Sequence, residues 1–597
     1  MNKKVFFDRI KHHESHLKKD TSISEITGYA KLLAILILGI VVYLLFVRNF
    51  HTILVIGLIV VLLTNIVLWV FHYRVHQKIK YSNSIIAINK RHLDRIAGTW
   101  ADFQDIGAEF INPKHPYASD LDIVDKKSFF QFLNTTHTWF GRQAYANDLL
   151  HPQYTNEELS GRQEAITELS RDINFTNHIE HSFSKIGPNK SMRKLVTELE
   201  DKQIFIRSKV LKILLMYAPM VTFISIAAII LFRLESLFIP AILVIALQTV
   251  IWGFGMIKTQ NFLGAISQLP YKLGIYSEII GTVKSRSFDS KILQQIQEQL
   301  GTSELSAQNA IKDLSKISNK VSVRHNALIW VILNVLLLWD IECAIMFEKW
   351  KTKYAHVAEK WFLALGDFES MLCFSILPNV CANTCVPSVT SDKAIRAQQL
   401  GHPLITNDIR VNNDISCNDN IFIISGSNMS GKTTFMRTVG INMILARAGS
   451  FVCAQSMSFP LIKIMTSMRV ADDLNEGIST FYAELKRIKG IITLAQKEPD
   501  MLFLIDEIFR GTNSVDRLEG AKAVLSKLNN IGALGIITTH DLDLCAIANK
   551  YPRIVNYSFM ENYHDSQIQF DYKVKPGKST TTNAKYLMQM VGISTYD

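Results

Sequence analysis

The 597-residue sequence predicts a multidomain chain made of two helical transmembrane hairpins, an all-α region that the second hairpin interrupts, and a C-terminal α/β domain built on a phosphate-binding loop. Three observations lead there. Four long apolar runs come in two pairs, each pair joined by a short link. Charged stretches with apolar residues at helical spacing lie around them. Near residue 420 the pattern changes to short, wholly apolar runs bounded by loop residues, as in buried strands. A chain of this length also exceeds what one hydrophobic core usually organises.

Leu32 to Val47 is an uninterrupted apolar run. Ile53 to Phe71 is a second, broken only by Thr64 and Asn65, and Arg48-Asn49-Phe50-His51-Thr52 links them. The second pair, Ile213 to Phe232 and Leu237 to Ile257, is joined by Arg233-Leu234-Glu235-Ser236. Each run approaches the ~20 residues that a bilayer core demands. Soluble helices seldom stay apolar on every side for so long, so four spans are expected in place of buried core helices. Asn65, Pro219, Pro240 and Gln248 are their notable interruptions, which favours an anchor over a transport pathway. Ala327 to Leu338 is shorter and runs into Trp339-Asp340-Ile341-Glu342, so it reads as a buried core helix.

Lys3, Lys4, Arg9, Lys11, Lys18 and Lys19 precede the first span, and Arg74, Lys78 and Lys80 follow the second, whereas the links carry only Arg48 and Arg233. Both termini are therefore expected in the cytoplasm, with the chain multi-pass in the inner (cytoplasmic) membrane. The immediate second span and the lack of a small-residue cleavage site after Val47 argue against a signal peptide. The resulting layout is a basic tail (1–28), hairpin one (29–72), a first helical part (82–208), hairpin two (211–258), a helical return (259–390) and the α/β domain (391–597). Lys291 to Lys320, with Ile292, Leu293, Ile296 and Leu300 at helical spacing, reads as amphipathic lever helices; a coiled-coil spacer has the same periodicity. The seven scattered cysteines fit a reducing compartment, and Cys381 with Cys385 lacks the partners of a metal site.

The chemistry concentrates in the last domain. Gly426-Ser427-Asn428-Met429-Ser430-Gly431-Lys432-Thr433-Thr434 follows the apolar run Ile421-Phe422-Ile423-Ile424 and precedes a helical pattern. Glycines at both ends let the backbone N–H groups turn towards phosphate oxygens, Lys432 supplies a positive charge and Thr433 a hydroxyl for Mg²⁺, so the site is expected to take a nucleoside triphosphate. Asp500-Met501-Leu502-Phe503-Leu504-Ile505-Asp506-Glu507 is a buried-type strand of apolar residues ending in two carboxylates, the form of a Walker B element, with Asp506 at the Mg²⁺ and Glu507 polarising the attacking water. Leu534 to Ile537 runs into Thr538-Thr539-His540, where an imidazole could sense a γ-phosphate. A lone histidine there is more often structural; its place after the paired carboxylates favours the catalytic role.

Those residues resemble the MutS family of mismatch-repair ATPases, whose phosphate loop also carries the Asn-Met pair. Glu476-Gly477-Ile478-Ser479-Thr480-Phe481-Tyr482-Ala483-Glu484-Leu485 is similar to the family's Ser-Thr-Phe signature, and Asp506 to Asp516 to its Walker B and D-loop, with Asp516 in the D-loop. Gly401-His402-Pro403-Leu404-Ile405 and Val411 to Ile415 resemble segments near the nucleotide base. Ser128 to Arg142 with Gly161 to Ile166 looks like the start of the family's helical core, and Tyr572 to Ser579 with Asn583-Ala584 and Val591-Gly592-Ile593 like the close of its ATPase domain.

The resemblance implies an ABC-like P-loop ATPase using Mg²⁺ with ATP, and a MutS core and lever region. It also implies a homodimer in which Ser479 of one copy completes the γ-phosphate site of the other. Helix N-capping is a second role open to Ser479. Two departures stand out. Residues 1–80 hold no counterpart of the mismatch-reading domain, and the second hairpin sits roughly where the family inserts its DNA clamp. A nuclease module is not expected after the ATPase. The expectation is a membrane-anchored, MutS-related ATPase that binds double-stranded DNA or an unidentified DNA-processing protein, since the net charge of +11 leaves nucleic acid open. The alternative is a transporter-like or membrane-remodelling ATPase.

Overall fold

The computed structural model describes the chain apart from residues 1–2, 48–51, 188–190, 201–208, 233–235, 237, 302–304, 428, 470–479, 510–512, 565–566 and 580–597. Its contacts divide it into two compact units: Met1–Leu133 with Ile376–Ala446 and Phe451–Asp597, and Asn134–Ser375 with Arg447–Ser450.

In the first unit, two helices, Lys3–Val47 and Thr52–Ala97, pack side by side. The apolar runs are the far halves of these helices, so the chain continues helically from Lys3 into the first run with no break at residue 28, and past residue 72 to Ala97. Near the base Phe6, Ile10, Val75 and Ile85 are buried; further out Leu36, Tyr43, Phe46, Ile53 and Trp69 are exposed. Polar side chains within the pair are bonded across it. Asn65 Nδ2 donates to the Ala34 carbonyl at 3.3 Å, and Thr27 Oγ1 lies 3.0 Å from His72 Nδ1. Both helices are long and apolar enough to cross a membrane, by length and composition.

The α/β part of the same unit contains β1 (Ser388–Val389), β2 (Ala394–Leu400), β3 (Asn413–Asn418), β4 (Ile421–Ser425), β5 (Ser456–Phe459), β6 (Lys463–Ser467), β7 (Met501–Asp506), β8 (Leu534–Thr539), β9 (Ile554–His564) and β10 (Gln567–Pro576). A four-stranded sheet has the order β1-β5-β2-β3 and a six-stranded sheet the order β10-β9-β4-β8-β7-β6. In the larger sheet β9, β4, β8, β7 and β6 are parallel, and β10 closes the edge antiparallel to β9. Every residue of β4, β7 and β8 is buried, which is why these strands read as unbroken apolar runs. Their carboxyl ends lie together, the place where open parallel sheets bind ligands.

The second unit is helical. Its spine is the 37-residue helix Trp339–Ser375. This helix is apolar and long enough to resemble a span, but 83% of its apolar window is buried in protein. Phe362 stacks on Phe140 with centroids 5.5 Å apart, and Tyr145 meets Phe374 edge-on at 5.2 Å. Local chemistry starts the helices beside it. Thr138 caps Trp139–Leu150, Thr155 and Glu158 form a capping box on Asn156–Arg171, and Asp172 caps Ile173–Ser184.

Glu369 reaches from the spine to the first of these caps. It accepts from the His137 and Thr138 backbone N–H groups at 2.5 and 3.2 Å and from Thr138 Oγ1 at 2.5 Å. Burial outweighs those bonds and pushes its carboxyl up to about 8. Gly141 is required by the same packing, since a Cβ there would stand 1.9 Å from Glu369 Oε2.

The second hairpin consists of Lys209–Phe232 and Phe238–Ser267, bonded across by Gln248 Nε2 to Thr222 Oγ1 at 2.9 Å. Residues 291–320 hold two amphipathic helices, Lys291–Gln299 and Ala307–Val321, whose apolar positions Leu293, Ile296, Ile311 and Leu314 are buried in the unit's core. One expectation is corrected in this unit: Ala327–Leu337 is not a buried core helix. Asn334 is its one buried residue, while Leu328, Ile329, Val331 and Ile332 are exposed. Apolar content alone could not separate a helix inside the core from one on its surface.

Candidate functional site

Among its described residues, the loop between β4 and the helix Lys432–Arg447 turns through three positive φ angles: 149° at Gly426, 70° at Met429 and 105° at Gly431. Glycine adopts these cheaply at two of the three positions. At Gly431 a Cβ would also come 3.1 Å from the Tyr572 ring. The curled backbone brings its carbonyls onto the lysine that follows: Lys432 Nζ donates to Gly426 O at 2.9 Å and to Ser427 O at 2.7 Å.

Because β7 and β8 lie on one side of β4, their ends deliver the acidic residues and the histidine to the same place. Thr433 Oγ1 donates to the Asp506 carboxylate, 3.1 and 3.0 Å from its two oxygens. Thr538 Oγ1 donates to Asp506 Oδ1 at 2.5 Å. Glu507 is held at φ 54°, a left-handed conformation unusual outside glycine, with its N–H directed at Thr538 O (3.3 Å) and Oγ1 (3.2 Å). Its carboxylate pairs with His540 Nε2, and Lys432 Nζ lies 3.5 Å from that same nitrogen.

A cavity of about 790 Å³ opens over this group. Met429 to Phe435, Asp506 and Glu507 line it, together with His402, Ile409, Arg410, Phe559 and Tyr572, the last two lying against the loop glycines. Burial, with Arg437 and Arg410 nearby, pulls His402 down to about 3, so it is neutral at physiological pH. Its Nδ1 accepts from the Leu404 N–H at 3.3 Å.

Of the residues singled out in the sequence, Lys432, Thr433, Asp506, Glu507 and His540 are brought together. Ser430 and Thr434 line the cavity, and Gly426 and Ser427 hold the lysine. Met429 is 87% exposed at the rim. Asp516 does not join them: it is exposed in the first turn of Ser514–Ile531, where Asn513 caps its N–H at 2.8 Å. Asn428 and Ser479 lie outside the described residues.

Sequence reasoning gave no individual role to Thr538, Phe559 or Tyr572, although Thr538 and Tyr572 lie in segments it singled out; their contacts come from how neighbouring strands run. It also missed an ionic clasp. Asp120, fully buried, accepts from Thr466 Oγ1 (2.6 Å), the Met468 and Arg469 N–H groups (3.2 and 2.9 Å) and Arg487 Nη2 (3.1 Å). Asp122 joins Arg437, on the helix that begins at Lys432, to Arg469, at 3.0 and 2.6 Å. Glu484 accepts from the Phe509 N–H at 2.5 Å and so ties the helix Thr480–Lys497 to the turn after Glu507.

The donor set suits Mg²⁺, a hard cation that takes one or two protein oxygens and fills its remaining positions with phosphate and water. Thr433 and Asp506 offer such oxygens, already mutually in contact, in the lining of the cavity.

Residues 422–595 match the family described as MutS domain V. The C-terminal part of the chain is similar to MutS. Within it, the DNA mismatch repair protein MutS of Methanococcoides burtonii is 33% identical over 233 residues, 37% of this chain and 26% of that protein. MutS of Chloroflexus aurantiacus is 30% identical over 217 residues, 35% and 22% of the two chains. The DNA mismatch repair protein MutS 2 of Halobacterium salinarum is 33% identical over 236 residues, 38% and 27%. The matched stretch thus spans about a quarter of the length of these relatives, and the support for the MutS family rests on the ATPase-like part of the chain.

Proposed function

We propose that this chain is a membrane-anchored, MutS-type ATPase that binds Mg·ATP, hydrolyses it as a composite dimer and engages double-stranded DNA on the cytoplasmic side. One observation carries the ATPase reading: Thr433 and the Asp506 carboxylate in contact beneath a loop that holds Lys432, with Glu507 lining the same cavity and His540 paired to its carboxylate. Phosphoryl transfer asks mainly for positioning and charge neutralisation, and this constellation supplies both.

Thr433 and Asp506 would hold Mg²⁺, which on binding neutralises phosphate charge. Lys432 faces the phosphates with a positive charge. Glu507 accepts the proton of the attacking water, and His540, paired to that carboxylate, fixes its direction and stands where the γ-phosphate would lie. Water adds at the γ-phosphorus as its bond to the ADP oxygen breaks, giving ADP and inorganic phosphate. Ser479 of a second copy caps the γ-phosphate, which makes turnover depend on dimer formation.

The anchoring reading is supported by the exposed apolar halves of Lys3–Val47 and Thr52–Ala97 and by the exposed face of Phe238–Ser267, surfaces too large to leave in water. Asn65 and Gln248 bond across their hairpins, to the Ala34 carbonyl and the Thr222 hydroxyl, as polar contacts between packed membrane helices do, which favours an anchor. The deciding experiment measures ATP turnover and duplex-DNA binding of the detergent-purified chain across a salt series, with Mg²⁺ and with EDTA. Mg-dependent turnover and an affinity that falls with salt are expected. No turnover would overturn the ATPase reading. Turnover with no DNA affinity at any salt would favour the membrane-remodelling alternative.

A further inference from the structure

The helix Ala327–Leu337 has an outer surface that its own unit does not cover. Eleven residues at 1.5 Å each give about 16 Å, half of a bilayer's ~30 Å hydrocarbon core, so it cannot cross a membrane. It also leaves the preceding helix Ala307–His325 at a bend of 114° and ends on Leu338 in a left-handed turn. Its inner side is well seated. Trp330 meets Trp252 of the second hairpin edge-on at 5.2 Å, and Leu338, Ile341 and Ile345 form a buried cluster with Leu215, against which Ile251 and Trp252 pack. Its single polar side chain, Asn334, is satisfied inside, donating to Trp330 O and accepting from the Asp340 N–H, both at 2.9 Å.

The outer side carries Leu328 at 70% exposure, with Ile329, Val331 and Ile332 between 41% and 48%. Beside it on the hairpin, Val250, Phe254 and Ile257 are exposed at 55–73% and continue the apolar surface. At one edge that surface meets charge. Arg324 forks onto Asp340 at 3.0 and 2.9 Å, Trp330 Nε1 donates to Asp340 Oδ2 at 3.0 Å, and Trp339 Nε1 donates to Lys320 O at 2.9 Å with the Lys320 ammonium 5.5 Å above its ring. Trp252 precedes the first charged residue of its helix, Lys258, by six positions, about 9 Å of helix, within the depth of an interfacial helix. Tryptophans and basic residues grouped at one level, with bare aliphatic side chains beyond them, are the composition of a membrane–water boundary.

We infer that Ala327–Leu337 is a monotopic helix that lies in the cytoplasmic lipid interface against the second hairpin, its Leu328–Ile332 face in acyl chains and its Arg324–Asp340 side in the headgroup zone. This rests on the membrane reading of the hairpin and adds a depth stop to it: the bent helix sets how far the hairpin sinks and ties the long helix Trp339–Ser375 to the bilayer surface.

The test reconstitutes the full chain into vesicles of phosphatidylcholine and phosphatidylglycerol that carry a diazirine-bearing acyl chain, photolyses them and maps the labelled peptides by mass spectrometry. Label is expected in both 238–257 and 327–338, and none in 139–150. In the variant L328E/I332E, label in 327–338 should fall severalfold while that in 238–257 stays. Label in 238–257 without label in 327–338 would overturn the inference and leave the hairpin reading intact, meaning that water or protein covers this face. Absence from both would overturn the membrane reading and this inference with it. Undiminished label in the 327–338 segment of the variant would also overturn it.

Discussion

At the scale of single residues, the candidate site separates binding from turnover. Lys432 meets carbonyls where it would meet phosphates, so Lys432→Ala should weaken ATP affinity about tenfold to a hundredfold, the worth of a charged hydrogen bond of about 1.5–3 kcal/mol. Glu507→Gln keeps the shape and loses the base; nucleotide binding should persist while turnover falls on the order of 10²–10⁴-fold. Equilibrium titration with a fluorescent ATP analogue beside single-turnover kinetics tells the two apart, and identical phenotypes would contradict the assigned roles. Gly141 tests packing instead of chemistry. Its missing Cβ makes room for a buried carboxylate, so Gly141→Ala should lower stability by about 1–3 kcal/mol or more, read as the shift of a denaturation midpoint.

Elements are held by buried charge as much as by apolar contact. Asp120 gathers four donors from the end of β6, the residues just after it and the middle of the helix Thr480–Lys497, so Asp120→Ala leaves two backbone N–H groups without their acceptor and Arg487 with backbone carbonyls only. The expected loss is about 3–5 kcal/mol, and a change much smaller than that in a chemical melt would show that the clasp is dispensable. Glu369 adds a pH dependence in the helical unit. Its folded value, about 8, stands above the ordinary 4.5, so its contribution is complete below the ordinary value and is lost as pH rises through about 8. Glu369→Gln cannot titrate, and its stability should change less than that of the natural chain between about pH 5 and 9 in urea melts.

For the whole molecule, the proposal requires two copies and a bilayer. Sedimentation of detergent-solubilised Glu507→Gln should show a dimer with Mg·ATP that dissociates on EDTA treatment, and the chain in isolated membranes should resist alkaline carbonate and need detergent for release. A monomer under both conditions, or release by carbonate, would overturn the corresponding half of the proposal.

The site was largely legible along the chain, because a phosphate loop, its lysine and the paired carboxylates occupy short contiguous segments whose spacing reflects local backbone geometry. Lys432, Thr433, Asp506, Glu507 and His540 could be named from that spacing alone, as could the long apolar runs, since helix length and side-chain polarity are local properties. Tertiary structure decided what depends on distant segments meeting. It set Thr538 on Asp506, Asp122 between Arg437 and Arg469, and Tyr572 against Gly431, pairs separated by 32 to more than 300 residues that no window of sequence contains. It also turned Ala327–Leu337 outward and Trp339–Ser375 inward, although both are apolar, because burial is a property of what packs against a helix and not of the helix itself.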